Sequence, residues 1–160
     1  MEIPEQQKMF MRRAIDLSRQ KMNENAGGPF GAVIVKGTRI IADGWNQVTS
    51  SNDPTAHAEV TAIRNACKSL NSFSLEGCEI YTSCEPCPMC LAAIYWARLD
   101  RIYYANTRKD AAAIGFDDDF LYQEIPLPEE RRSKKTSRLL SAEGWLVFEE
   151  WERKTDKVSY

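Results

Sequence analysis

A chain of 160 residues makes one ordinary domain and can bury roughly 70% of its unfolded surface without covalent staples. Its apolar fraction of 43% and charged fraction of 28% exclude a disordered chain, a collagen-like repeat and a small disulfide scaffold. Lys+Arg is 21 and Asp+Glu is 23, so the net charge of −2 offers no basic excess, and no nucleic-acid partner is expected. No apolar run approaches the roughly 18 residues of a membrane span, so no membrane partner is expected either. The start, MEIPEQQKMF, lacks the layout of a signal peptide. A cytoplasmic protein with reduced thiols follows, and the spacing of its five cysteines must say whether any bind metal.

Taken in chain order, Gln6 to Asn25 reads as an amphipathic helix with Phe10, Ala14, Ile15, Leu17 and Met22 on its apolar face. Ala26-Gly27-Gly28-Pro29 breaks it. Phe30 to Val35 and a second run beginning at Ile40 to Ala42 form a hairpin around Lys36-Gly37-Thr38-Arg39. A polar loop covers Asn46 to Asp53. Asp53-Pro54 predicts a helix start, a capping acid followed by proline at the first helical position, and that helix runs to about Leu70. Glu79 to Ser83 reads as a buried strand, Met89 to Ala97 as an apolar helix and Arg101 to Ala105 as a further strand. Beyond Asn106 the pattern supports a short helix near Phe120 to Glu124 and a longer one from about Thr136 to Glu150. This order predicts an α/β fold, a three-layer α/β/α domain with a mixed central sheet and a C-terminal helical tail.

His57, the single histidine, stands in Ala56-His57-Ala58-Glu59, and thirty residues on lies Pro86-Cys87-Pro88-Met89-Cys90. Cys-x-x-Cys at a turn entering a helix lets two sulfurs meet one ion, and the helix N-terminus favours thiolates. His57 falls at the start of the other helix. Two helix N-termini facing one another, with zinc held by His57, Cys87 and Cys90, is the geometry that follows. Three protein ligands leave a fourth position open, the mark of a catalytic site. Glu59 can reach a metal-activated water without being a ligand and can move its protons. A redox role for the cysteine pair would leave His57 and Glu59 unexplained. Cys84 as a fourth ligand would leave Glu59 without a role. Cys67 and Cys78 read as buried apolar thiols.

H-x-E followed by P-C-x-x-C is the signature of zinc nucleobase deaminases. The sequence resembles the cytidine deaminase superfamily from its first helix to about Phe120. Within it the chain is similar to the bacterial guanine deaminases through Gly27-Gly28-Pro29-Phe30-Gly31-Ala32-Val33, Asn52 to Glu59, Thr82 to Cys90, and Gly115-Phe116-Asp117-Asp118. The resemblance implies hydrolysis of guanine, a small purine, to xanthine and ammonia, with one zinc ion per chain and Glu59 as the catalytic acid–base. It implies that Asn46 hydrogen-bonds the purine and that Phe30 lies near its ring. Backbone N–H groups near Ala58 and Cys87 would orient water or product.

Guanine presents N1–H and the N2 amine side by side. A carboxylate accepts both, and the resemblance places Asp118 there. It also implies a C-terminal tail that covers the neighbouring subunit's site, with Tyr160 on the base. The expected division is a zinc deaminase core at 1–126 and a tail or lid at 127–160, hinged at Ile125-Pro126-Leu127-Pro128. The expected assembly is a homodimer with exchanged tails. Leu139, Leu140, Trp145, Leu146, Phe148 and Trp151 are its apolar anchors. Trp96 and Tyr95 read as core packing, with a second wall of the base pocket as the other possibility. The rival functions are a tRNA adenosine deaminase, a guanosine or triazine (ammeline) deaminase, and a zinc-stabilised binding module without catalysis.

Overall fold

The computed structural model describes residues 3–116 and 118–160. Asp117, the first acid of the Asp117-Asp118-Asp119 run, lies outside the described residues. The chain divides into two compact units, Met1–Tyr122 and Gln123–Tyr160.

The first unit opens with α1 (Glu5–Asn23), which buries Phe10, Ala14, Leu17 and Ser18. Ile15 is only half-buried and Met22, in the last turn, is exposed, so the apolar face is narrower than its sequence pattern. The strands are β1 (Gly31–Lys36), β2 (Arg39–Trp45), β3 (Cys78–Cys84) and β4 (Arg101–Asn106). They form one mixed sheet in the order β2-β1-β3-β4. β1 pairs antiparallel with β2 and β3, while β3 and β4 run parallel. The parallel pair requires a crossover, which α4 (Pro88–Trp96) supplies.

Alternation along the strands assigns the two faces. Val33, Val35 and Tyr81 pack with Phe10 of α1 on one side. Ala32, Ile34, Cys78 and Ile80 pack on the other with Ala58, Ala62 and Ala66 of α3 (Ala58–Leu70) and Ile94 of α4. A strand buried on both faces reads as a continuous apolar run, which is why β1 is so legible in sequence. The alanine row of α3 lets that helix lie close to the sheet.

The helix expected from Asp53-Pro54 starts later. Asp53 Oδ1 accepts from the Thr55 N–H at 2.8 Å and from the Thr55 hydroxyl at 2.6 Å, closing a local turn instead of capping a helix. The helix then begins at Ala58 with His57 as its N-cap. The loop expected over Asn46 to Asp53 holds a single-turn helix, α2 (Val48–Ser51), ended by Asn52 in a left-handed conformation (φ 52°). After β4, Thr107 and Asp110 form a reciprocal capping box that starts α5 (Arg108–Ala113), a helix the apolar pattern did not reveal. α6 (Asp118–Glu124) follows.

The second unit contains a 3₁₀ turn at Glu129–Arg131 and α7 (Ser141–Arg153). The last helix starts five residues after the expected Thr136, because Leu140 takes a left-handed backbone (φ 50°) that no helix can run through.

Gly44 shows how closely α3 sits on β2. A Cβ there would lie 2.3 Å from Ala62 N and 2.5 Å from Ala58 O, both backbone atoms that cannot yield. Gly44→Ala is therefore expected to destabilise the fold by about 1–3 kcal/mol, read as a lower denaturant midpoint with an unchanged slope.

Candidate metal centre and active site

His57 and Cys87 occupy equivalent positions: each is the N-cap of a helix, α3 and α4, in an extended conformation. Pro88 at the first position of α4 presets its backbone. Cys90, one turn on, returns to the same side. The His57 Nδ1 atom lies 3.6 Å from Cys87 Sγ and 3.5 Å from Cys90 Sγ. The ligand atoms of all three residues fall within 4.8 Å of one another. A tetrahedral zinc with Zn–S of about 2.3 Å and Zn–N of about 2.05 Å separates sulfur from nitrogen by about 3.6 Å. The donor set therefore fits zinc in both chemistry and spacing.

The cluster's electrostatics ask for a cation. The thiol of Cys87 is held well below the usual thiol range, first by a hydrogen bond from Cys90 and then by His57, against the cost of burial. Cys90 is pushed up by the Cys87 sulfur, by burial and by Glu59. His57 is raised by its contact with Cys87, which outweighs burial.

Glu59 stands in the first turn of α3 and is only 6% exposed. Burial is the main reason its carboxyl is raised above the ordinary carboxylate range. Its Oε1 accepts from the Thr82 hydroxyl at 3.3 Å and its Oε2 from the Cys90 thiol at 3.4 Å. A buried carboxyl beside a metal donor set is placed for proton transfer.

These groups border a cavity of about 340 Å³, at the small end of the range for ligand sites. Its wall brings together Phe30, Asn46, His57, Ala58, Glu59, Cys87 and Asp118. Asn46 Oδ1 accepts from Gly28 N and Val48 N, both at 3.3 Å, so its Nδ2 is the end that can address a ligand. A Cβ on Gly27 would fall 1.6 Å from the Asn46 carbonyl oxygen, so only glycine permits this turn to press against Asn46. Phe30 meets Phe116 edge-on with centroids 4.7 Å apart and also packs against the core.

Phe116 was visible only as part of the Gly115-Phe116-Asp117-Asp118 string, with nothing local to mark it as a cavity wall. Thr82 stood in the string running to Cys90, but nothing there marked it as a partner of Glu59, since a threonine in a strand is ordinary. Tyr160 belongs to the second unit and is 73% exposed.

Cys84 stands apart from the metal cluster. Its Sγ donates to Thr107 O at 3.6 Å, and burial pushes its thiol up to about 12. Tyr95 and Trp96 are not core residues: they are 74% and 66% exposed, and neither lines the cavity. Cys90 and Ile94 take the inward face of α4, which turns the last two aromatics outward.

Residues 4–106 match the cytidine and deoxycytidylate deaminase zinc-binding region. The chain belongs to that deaminase family. It is 53% identical to the guanine deaminase of Bacillus subtilis (strain 168) over 94% of this chain and 97% of that one. The crystal structure of a Bacillus subtilis guanine deaminase superposes with a TM-score of 0.93, at 52% identity over 96% of this chain and 98% of the other. A guanine deaminase structure from Nitrosomonas europaea gives a TM-score of 0.68 at 30% identity, covering 94% and 85%. The tRNA-specific adenosine deaminase of Aquifex aeolicus is 47% identical over only 51% of this chain and 54% of its own. Zinc is the metal of this deaminase family, and His57, Cys87 and Cys90 are the donors suited to it.

Chelation of the purified protein is expected to release about one zinc per chain and lower its thermal midpoint. Free zinc at 1,000 times its Kd should restore about 4 kcal/mol. Cys90→Ala should retain no stoichiometric zinc by metal analysis.

Proposed function

We propose that this deaminase hydrolyses guanine to xanthine and ammonia in the cytoplasm, in purine catabolism or salvage. The carrying observation is Asp118 on the wall of the same cavity that Glu59 and the His57, Cys87 and Cys90 donors line. The near-full-length similarity to a guanine deaminase supports the same reading.

Bound zinc supplies a water whose pKa falls toward neutrality. Glu59 accepts a proton from the attacking water and delivers it to N3 of the purine as C2 becomes tetrahedral. Glu59 then takes the remaining proton from the C2 hydroxyl and passes it to the amine; the C2–N bond breaks, ammonia leaves, and the oxygen becomes the C2 carbonyl of xanthine. The Asp118 carboxylate accepts from the paired N1–H and N2 donors of guanine, an edge that adenine and cytosine lack. Asn46 Nδ2 donates to the acceptor edge formed by O6 and N7. Phe30 faces the ring, and the N–H groups near Ala58 and Cys87 orient water and product.

The test is ammonia release from guanine, guanosine, adenine, cytidine and ammeline by the zinc-loaded protein. Guanine is the expected substrate; a faster reaction with any other compound overturns the assignment. Glu59→Gln should lower turnover by roughly 10²–10⁴-fold with zinc retained. Asp118→Asn turns an acceptor into a donor facing guanine's own donors. It should reduce guanine kcat/KM by roughly 5–150-fold, the equivalent of about 1–3 kcal/mol for an unpaired buried donor.

The assembly is a homodimer whose exchanged tails close each other's sites. In the second unit Trp145, Leu146, Phe148 and Trp151 of α7 are 46–67% exposed, an apolar load that the unit by itself does not bury. The segment Ile125-Pro126-Leu127-Pro128, expected as an extended hinge, is instead a turn closed by the Leu127 N–H on Glu124 O at 3.1 Å, so the support for exchange is the exposed apolar load alone. Tyr160 of the partner subunit would close the cavity over the base and exclude water. Removal of Lys157 to Tyr160 is expected to leave a folded, zinc-containing dimer with poor guanine turnover. A monomer in sedimentation, or a truncated protein of undiminished activity, contradicts the exchange or the lid respectively.

A further inference from the structure

Thr82 is 1% exposed and lies on β3 between Tyr81 and Ser83, both also buried. Cys78 and Ile80, the preceding residues on its face of the strand, are fully buried against α3 and α4. A hydroxyl at such a place needs a partner. The hydrogen bond that the structure gives the Thr82 side chain runs to Glu59 Oε1, at 3.3 Å.

The two oxygens of Glu59 are held differently. Oε2 receives the Cys90 thiol at 3.4 Å, and Cys90 is one of the metal donors. A metal ligand must be a thiolate, which has no proton to give. That contact cannot survive as a hydrogen bond once Cys90 serves the metal, whereas the Thr82 hydroxyl is consumed by nothing. Resting on the reading of Glu59 as the proton carrier, we infer that Thr82 is a positioning residue: it pins Oε1 on the sheet side and leaves Oε2, on the side of the metal donors, as the oxygen that takes and releases the proton. The same bond serves both protonation states. Oε1 accepts from Thr82 as half of a carboxylate, and as the carbonyl oxygen when the proton sits on Oε2. No hydrogen bond has to be remade within a turnover. Threonine suits the task because its branched Cβ restricts χ1 and so fixes where the hydroxyl points.

The test compares Thr82→Val, Thr82→Ser and Thr82→Ala with Glu59→Gln. Valine keeps the shape and removes the hydroxyl. Thr82→Val and Thr82→Ala are expected to lower kcat for guanine by roughly 10–100-fold, the scale of a misplaced reacting group, with KM and zinc content unchanged. Thr82→Ser should restore most of the loss. Should the valine variant fail to fold, the contrast between Ser and Ala decides the matter. A second readout avoids turnover altogether. In zinc-free protein labelled with ¹³C-glutamate, the carboxyl infrared band that disappears in Glu59→Gln should move to higher frequency in Thr82→Val and return in Thr82→Ser. An unmoved band, or undiminished kcat in both Thr82→Val and Thr82→Ala while Glu59→Gln is inactive, overturns the role of Thr82 and leaves Glu59 standing. Full activity in Glu59→Gln overturns instead the reading on which it rests.

Discussion

The molecule depends on two helices beginning at the same place. α3 and α4 bring their N-caps, His57 and Cys87, within 3.6 Å of each other. The rest of the first unit is arranged so that they can. The alanine row of α3 and the bare backbone of Gly44 set that helix close against β2. The parallel pairing of β3 with β4 obliges the chain to cross over through α4, so Cys87 and Cys90 follow directly from the end of β3. Helix starts carry unpaired N–H groups and a positive partial charge, which suits a site that gathers thiolates and a carboxylate.

Burial then gives the site its chemistry. The imidazole, two thiols and a carboxylate lie within a few ångströms in a region the solvent barely reaches, and their proton affinities are pushed apart. Cys87 is drawn down by its neighbours, while Cys90 and Glu59 are driven up. A dication among His57, Cys87 and Cys90 would satisfy both thiolates at once. Glu59 remains beside them, its carboxyl raised above the ordinary range mainly by burial.

Asp118, the proposed reader of the guanine edge, belongs to a different stretch of chain from the metal donors. The zinc-binding region ends at residue 106, and a tRNA-specific relative matches only half the chain, whereas a guanine deaminase matches nearly all of it. Phe116 and Asp118, the cavity walls that follow β4, lie beyond that shared region.

The sequence alone determined the sheet, the helices that flank it and the nature of the metal donors. The short continuous buried runs of β1 and β3, the proline-framed cysteines and the H-x-E string are local patterns that survive without knowledge of the fold. Local patterns also misled. Asp53-Pro54 looked like a helix start, but Asp53 spends its oxygen on Thr55. Tyr95 and Trp96 looked like core, but a nine-residue helix has one inward face and Cys90 and Ile94 fill it. Only the tertiary structure decided which strand residue meets Glu59. Thr82 and Glu59 are 23 positions apart and are joined solely because β3 runs beneath the first turn of α3. A hydroxyl in a strand is unremarkable until the opposite helix places a buried carboxylate over it. That encounter is set by packing across layers, which no periodicity in the chain encodes.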